Sequence, residues 1–409
     1  MGIKVKWTAS FITELCCCIS ETMNYLTPDS DPTRYVESLI SAQSRLLAIL
    51  MNWFDICMKA EYVEEEVENI CPKVMSTFLV TMRTMWNRYI FSESPEMQLV
   101  RSVLGACLSC LNLMQTKFHG LTLWEVETKE SVQKNGAVSD VEMFSMEFLP
   151  MLCALIEDKH CVNLTIAVIC VLIRNFVTPQ IWLQVFEAHS TIRYSLALLH
   201  TADTDTSYEV LNFLLCLCHF RKGTEMLLSA GFFSHILNFM KNLKEDVSGI
   251  GDIKEPFQVQ KTRTRKRDLW SVSAGIVSAI VKNLGDDNRN TAVENAFVFF
   301  ETYKEFLISA LESVYFSDTD GIKRAKFGHR ETTISSLQGT QQAIHLLAAL
   351  VRHRSLWCNA MIRSKIDVRH NCIHLLAFVA REGLVRNLTG STTTFLHCIP
   401  LDKLEVVAQ

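Results

Sequence analysis

Apolar side chains recur at intervals of three and four residues along almost the whole chain. After Asp31 and Pro32, which suit a helix N-cap and first turn, apolar positions at this spacing run from Leu39 to Trp53. Similar helix starts stand at Ser94-Pro95-Glu96 and Thr178-Pro179-Gln180. Alternating apolar and polar residues between Asn-Gly or Asp-Gly turns are nearly absent. The pattern therefore predicts an all-α protein.

Several predicted helices carry broad apolar faces, as in Phe213–Cys218 and Ile344–Val351. A face wider than a narrow stripe indicates a helix that is contacted from two sides. Stacked antiparallel helix pairs supply such contacts, which favours an irregular HEAT/armadillo-like α-solenoid. The segment Gly223–Met240 resembles the internal turn of an armadillo repeat, with Gly231 as the left-handed cap between two helices.

Polar stretches divide this pattern into predicted parts. Thr116–Asp140 is polar and nearly aperiodic, whereas Glu245–Lys266 combines charged clusters with glycines and a proline. Insertions of this kind are tolerated between stacked helices. The predicted parts are N-terminal helical repeats (1–115), a polar loop (116–140), central armadillo-like repeats (141–244), an exposed loop (245–266), C-terminal helical repeats (267–385) and a tail (386–409).

Composition and charge narrow the class of protein. With 409 residues, 49% of them hydrophobic, the chain can form a large core, so it is not a mostly disordered protein. Forty basic and 44 acidic residues argue against a protein that binds nucleic acid over its whole surface. The 15 cysteines are odd in number and lie mostly in apolar segments of the sequence, which favours free thiols in a reducing compartment.

The sequence also predicts an intracellular protein without a transmembrane segment. Its start, from Met1 to Lys6, lacks the apolar core of a secretory signal. The longest uncharged apolar stretch, Cys161–Ile173, is shorter than the roughly 20 residues that cross a bilayer.

Candidate metal ligands occur in two places. Cys107 and Cys110 form a C-x-x-C pair, but a zinc site needs a second pair of ligands, and on a helix two such residues share one face. His370 and His374 have the spacing of a zinc-binding helix, but Asn371 stands where a zincin carries glutamate. We therefore expect core cysteines, solvated or hydrogen-bonded histidines, and no metal.

No catalytic motif assembles along the chain. Phosphate-binding glycine loops and the G-x-S-x-G motif do not occur, and the pair Asp286-Asp287 is explained by the start of the next helix. We therefore predict that the protein is not an enzyme and uses no cofactor.

Two charged runs remain. Glu61–Glu68 is acidic and favours a solvated helix face or turn. The second run is either a nuclear-localisation or polyanion-binding signal or, as we favour, part of an exposed loop. Its cations are Lys261, Arg263, Arg265, Lys266 and Arg267.

The stretch Arg263–Phe316 carries a family resemblance. A helix that begins near Trp270 ends in Val281–Asp287, and one long helix containing Ala296–Leu311 follows. This order resembles the C-terminal part of the very large inner-ring scaffold nucleoporins of the nuclear pore, the nucleoporin 188/205 class. Because those proteins are several times longer, the resemblance implies a C-terminal fragment or a truncated product.

The resemblance implies an architectural α-solenoid at the nuclear envelope that docks short helices of other nucleoporins, with FG-repeats as a further ligand. Phe299, Tyr303 and Phe306 lie at i, i+4 and i+7 and form one aromatic stripe. The stripe is either core between helix pairs, which we favour, or the docking site.

Two other functions stay open at this point. One is a cytoplasmic HEAT/armadillo adaptor or nuclear transport receptor that carries basic cargo on an acidic inner surface, and the run Glu61–Glu68 is the feature that favours it. The other is the scaffold region of a giant ubiquitin ligase or trafficking protein.

Overall fold

A computed structural model of the chain is entirely helices and turns over the residues that it describes. These are residues 14–15, 18–19, 21–22, 34–59, 97–117, 136–158, 160–177, 179–248, 256–285, 291–312, 334–364 and 368–373. No strand occurs among them, so the predicted all-α class is confirmed. Within the same ranges, no helix is both long enough and apolar enough to cross a bilayer.

The chain divides into two compact units, Met1–Ala230 and Gly231–Gln409. In the first unit, α1 packs on α2, α2 on α4, and α4 on α7. Helix α3 contacts α4 and α5, while α6 contacts α5 and α7. The bounds are α1 (Arg34–Lys59), α2 (Met97–Lys117), α3 (Gly136–Leu155), α4 (Val162–Asn175), α5 (Pro179–Ala188), α6 (Thr191–Leu198), α7 (Thr204–Leu217) and α8 (Arg221–Ser229).

Aromatic packing joins several of these helices. Trp182 on α5 packs against Phe186 and Phe220, with ring centroids 5.4 and 5.1 Å away. Phe186 in turn meets Phe213 of α7 edge-on at 5.5 Å. The start of α7 is capped by Asp203, whose carboxylate accepts a hydrogen bond from the Thr206 amide at 3.0 Å. Burial of these large rings stabilises this end of the unit.

The second unit is built around one long helix. Helix α10 packs along α13 and also contacts α9, α11 and α12, while α14 packs on α11 and α13. The helices are α9 (Phe232–Ser248), α10 (Pro256–Leu284), α11 (Ala292–Thr302), α12 (Lys304–Glu312), α13 (Ile334–Val351) and α14 (Arg354–Ser364), and residues 368–373 are also helical.

Several helix boundaries predicted from the sequence are confirmed. Helix α5 begins at Pro179, and α10 ends at Leu284, directly before Gly285. Gly231 has a φ of 84° and separates α8 from α9. This left-handed backbone is open to glycine but strained for residues with a Cβ atom, so the predicted cap at Gly231 is correct.

Three predicted boundaries are wrong. The exposed loop over 245–266 is largely helical, because α9 continues to Ser248 and α10 already begins at Pro256. The polar loop over 116–140 ends too late, since α3 begins at Gly136. The single long helix containing Ala296–Leu311 is two helices, which are interrupted at Tyr303 (φ −115°, ψ 25°). The superhelical solenoid stays a prediction.

Candidate functional site

The predicted aromatic stripe lies in the core of the second unit. Phe299 is fully buried and Tyr303 is nearly so. Their rings pack 5.3 Å apart, and the Tyr303 hydroxyl donates a hydrogen bond to the Leu237 carbonyl oxygen of α9 at 2.8 Å. Burial raises the pKa of the Tyr303 hydroxyl above its ordinary value, which keeps it protonated as a donor.

Phe306, the third residue of the stripe, follows the break between α11 and α12. It is half-buried, and its ring stacks on Trp270 of α10 with centroids 6.3 Å apart and an angle of 14° between the planes. All three aromatic residues thus pack within the unit. Phe299 and Tyr303 match the core alternative for the stripe, because both are buried. Phe306 is half-buried, and its part in docking stays a prediction.

The basic run lies on α10 rather than in a loop. Lys266 is only 6% exposed, and its ammonium group donates a hydrogen bond to the Leu243 carbonyl oxygen at 2.5 Å. Lys266 precedes Leu269 and Trp270 by one helical turn, so it shares their buried face. It is therefore unavailable to a receptor or polyanion. The side chains of the other cations lie outside the described residues: Lys261, Arg263, Arg265 and Arg267.

The two pairs of candidate metal ligands belong to different units of the chain. Cys107 and Cys110 are fully buried on α2, where burial raises the pKa of the Cys107 thiol and disfavours the thiolate that a metal would bind. His370 is exposed, and His374 lies outside the described residues. Among the residues that the structure describes, no group of three or more His, Cys, Asp or Glu could hold a metal ion. Asp286-Asp287 and Glu61–Glu68 are also outside the described ranges.

One side of α1 forms the core contact with α2. Its buried residues are Ile40, Ser44, Leu47 and Met51, which repeat at four and three residues. At the same interface, the hydroxyl groups of Ser41 and Ser102 are 2.8 Å apart and hydrogen-bonded. These residues account for one apolar face of the helix.

The opposite side of α1 is also apolar, and it is exposed. Tyr35 is 75% exposed, Leu46 44% and Ile49 64%, and the exposed Ala42 lies between them. At 3.6 residues per turn, these four positions fall within about 60° of the helix circumference and point away from α2. We call Tyr35, Ala42, Leu46 and Ile49 the α1 stripe.

The second unit has a smaller surface of the same kind on α13. Ile344, Ala348 and Val351 are exposed at i, i+4 and i+7, while the other side of the helix is buried against its neighbours. Ile362 of α14 is 75% exposed. The exposed residues on α13 are smaller than those of the α1 stripe, which has the larger anchors.

The sequence analysis identified the apolar segments of the chain but did not predict that the α1 stripe is exposed. Leu46 and Leu47 are adjacent in sequence, yet Leu46 is exposed and Leu47 is buried. The adjacent leucines could have indicated the exposed stripe. Neighbouring residues on a helix point about 100° apart, so two apolar neighbours make the apolar surface wider than one interface covers.

Comparison with known proteins adds no family. No protein-family model and no curated protein matches the chain. Among solved structures, an engineered protein aligns over 96% of this chain and 97% of its own length, with 11% sequence identity and a TM-score of 0.28. A similarity that weak carries no argument about fold or function.

Proposed function

We propose that the chain is an architectural helical scaffold that binds an amphipathic helix of a partner protein along the α1 stripe. The observation that carries the proposal is the pair of opposite apolar faces on α1, one packed on α2 and the other exposed. A helix that packs on two other helices needs two apolar faces, so the exposed face of α1 is suited to bind a further helix.

The spacing of the stripe fits a helical partner better than an extended one. Tyr35, Ala42 and Ile49 are seven residues apart, and Leu46 fills the interval before Ile49. A seven-residue repeat keeps two helices in contact over several turns, with large side chains packed between them. Ala42 leaves room at the centre for a large side chain of the partner.

The proposed cellular place is the inner ring of the nuclear pore. It is supported by the resemblance of Arg263–Phe316 to large scaffold nucleoporins, and it makes other nucleoporins the partners, with FG-repeats as a further ligand. The adaptor alternative depends on Glu61–Glu68, which lies outside the described residues.

The test replaces Ile49 with aspartate in the α1 stripe. Ile362→Asp is the matched control, because Ile362 is equally apolar and more exposed but lies in the second unit. Fluorescence anisotropy with synthetic amphipathic helices of linker nucleoporins measures affinity. Truncating an anchor of a helix interface costs about 1–3 kcal/mol, so we expect Ile49→Asp to weaken binding by roughly 5–150-fold and Ile362→Asp to leave it unchanged.

Thermal unfolding of both variants separates docking from packing. An unchanged midpoint for Ile49→Asp together with weaker binding supports the proposal, whereas equal affinity for the two variants refutes it. A large loss of stability in Ile49→Asp would mean that the stripe packs within this chain. In cells, a fluorescently tagged protein should mark the nuclear rim, and diffuse cytosolic fluorescence would favour the adaptor.

A further inference from the structure

Two cysteines and an arginine meet where α4 packs on α7. The Arg174 guanidinium donates a hydrogen bond from Nε to the Cys216 sulfur, at 3.0 Å. The Cys170 thiol, one turn before Arg174 on α4, lies within hydrogen-bonding reach of the same sulfur. Both cysteines are buried and unbridged, while the Arg174 side chain reaches solvent. The Cys216 sulfur therefore has a thiol partner and a cationic partner at the edge of the helix interface.

These contacts distinguish the two sulfurs from each other. The hydrogen bond from Cys170, helped by the charge and hydrogen bond of Arg174, lowers the pKa of the Cys216 thiol although burial opposes this. The same thiol–thiol hydrogen bond, with burial and the nearby Glu209 carboxylate, raises the pKa of Cys170. One cysteine is thus suited to be the nucleophile and the other to remain a thiol until it is needed.

Other buried cysteines have a different environment. Burial raises the pKa of Cys153 and of Cys161 to about 11 each, and it raises the pKa of Cys218 as well. A neutral buried thiol reacts slowly, because the thiolate is the nucleophile. Burial alone therefore does not account for the environment of Cys216.

We propose that Cys170, Cys216 and Arg174 form an oxidation site for peroxides, at which Cys216 reacts first and Cys170 then closes a disulfide between α4 and α7. This site is independent of the proposed helix-binding stripe. Arg174 acts as a positioning residue, because it holds and activates the Cys216 sulfur without reacting itself.

The reaction balances with one peroxide. The Cys216 thiolate attacks one oxygen of hydrogen peroxide, the O–O bond breaks, and the departing hydroxide takes up the proton released by Cys216 to form water. The product is a sulfenic acid on Cys216. The Cys170 sulfur then attacks that sulfur, the S–S bond forms, the S–O bond breaks, and hydroxide leaves with the Cys170 proton as a second water. Two thiols are oxidised and one peroxide is reduced.

The experiment treats the native, fully reduced chain with hydrogen peroxide, blocks the remaining thiols with N-ethylmaleimide, and maps tryptic peptides by mass spectrometry. The expected product joins peptides 160–174 and 194–221, which contain Cys170 and Cys216 together with Cys161 and Cys218. Cys161→Ser and Cys218→Ser should retain the cross-link, whereas Cys170→Ser and Cys216→Ser should lose it. In Cys170→Ser, dimedone should label Cys216 as the trapped sulfenic acid.

The role of Arg174 is tested by rate. Because the thiolate is the nucleophile and Arg174 helps to lower the pKa of Cys216, Arg174→Met should slow cross-linking, and Arg174→Lys should restore part of the rate. Equal melting curves of the reduced variants exclude a folding defect, and Cys107 is the internal control because it is a buried thiol without a cation. Formation of a different disulfide, oxidation of Cys216 no faster than Cys107, or an unchanged rate in Arg174→Met would overturn the proposal.

Discussion

Replacing Phe299 with alanine should strongly destabilise the second unit. Phe299 is fully buried on α11, and its ring packs against Tyr303, whose hydroxyl is bonded to α9. The substitution removes a whole aromatic ring and leaves a cavity between helices that cannot fully collapse. Buried Phe-to-Ala changes cost about 3–5 kcal/mol, and we expect Phe299→Ala to fall in this range.

The neighbouring residue is a matched control. Val298 lies on the same helix but is 49% exposed, so Val298→Ala removes apolar atoms that already contact water. Such surface substitutions change the free energy of unfolding by about 0.5 kcal/mol or less. The two positions are neighbours on α11, but Phe299 is buried and Val298 is exposed, so the difference between the variants measures burial rather than helix propensity.

Chemical denaturation followed by circular dichroism measures the free energy of unfolding of each variant. For a unit of this size, 1 kcal/mol corresponds to roughly 2–4 °C, so Phe299→Ala should also lower the melting temperature by roughly 6–20 °C. If Phe299→Ala and Val298→Ala were equally stable, Phe299 would not be core. A normal melt combined with weaker partner binding would restore the aromatic stripe as the docking site.

Two further predictions concern the first unit. Gly223→Ala should destabilise it by about 1–3 kcal/mol, because a Cβ atom there would lie 2.4 Å from the Leu217 carbonyl oxygen. Gly105→Ala should instead stabilise α2 by roughly 0.5–1 kcal/mol, because a Cβ atom there meets nothing within 4 Å. Denaturation curves of the two variants check both signs. Burial and then Asp205 raise the pKa of Glu209 above 4.5, so the unfolded state loses this proton first and the free energy of unfolding should fall as pH rises from about 4.5 through the folded pKa. Glu209→Gln should remove this pH dependence, and an identical slope in both proteins would contradict the assignment.

Local signals were enough to predict the helical class and several helix ends. Pro179 starts a helix because its fixed φ and missing amide hydrogen suit a first turn, and Gly231 ends one because its backbone is left-handed. These outcomes depend on the residue itself and on its immediate neighbours. Periodicity likewise placed Cys107 and Cys110 on one helix face, and both are core residues.

Other features could not be predicted, because their cause is distant in the sequence. The basic sequence around Lys266 predicts an exposed loop, yet the Lys266 ammonium group donates a hydrogen bond to the Leu243 carbonyl oxygen, 23 positions earlier in the chain. The Tyr303 hydroxyl likewise donates a hydrogen bond to the carbonyl oxygen of Leu237, which lies on α9 with Leu243 and is 66 positions from Tyr303. A carbonyl oxygen has two lone pairs, so a helical carbonyl can accept a side-chain donor in addition to its backbone partner. Composition therefore could not predict the positions of Lys266 and Tyr303, which are fixed by hydrogen bonds to α9.

The same limit applies to the choice of a candidate docking surface. Phe299 and Ile49 both stand in amphipathic sequence, and aromatic residues are the commoner anchors of interfaces, so the sequence offered the aromatic stripe as a possible docking site, although a core position was favoured for it. In the structure, Phe299 is covered, while Ile49 is exposed on a helix whose opposite face is already packed. Periodicity identifies an apolar face, but only tertiary packing decides whether this chain covers it. A face that stays exposed after its own helix is packed is therefore the better candidate for a partner, and on α1 that face is the stripe from Tyr35 to Ile49.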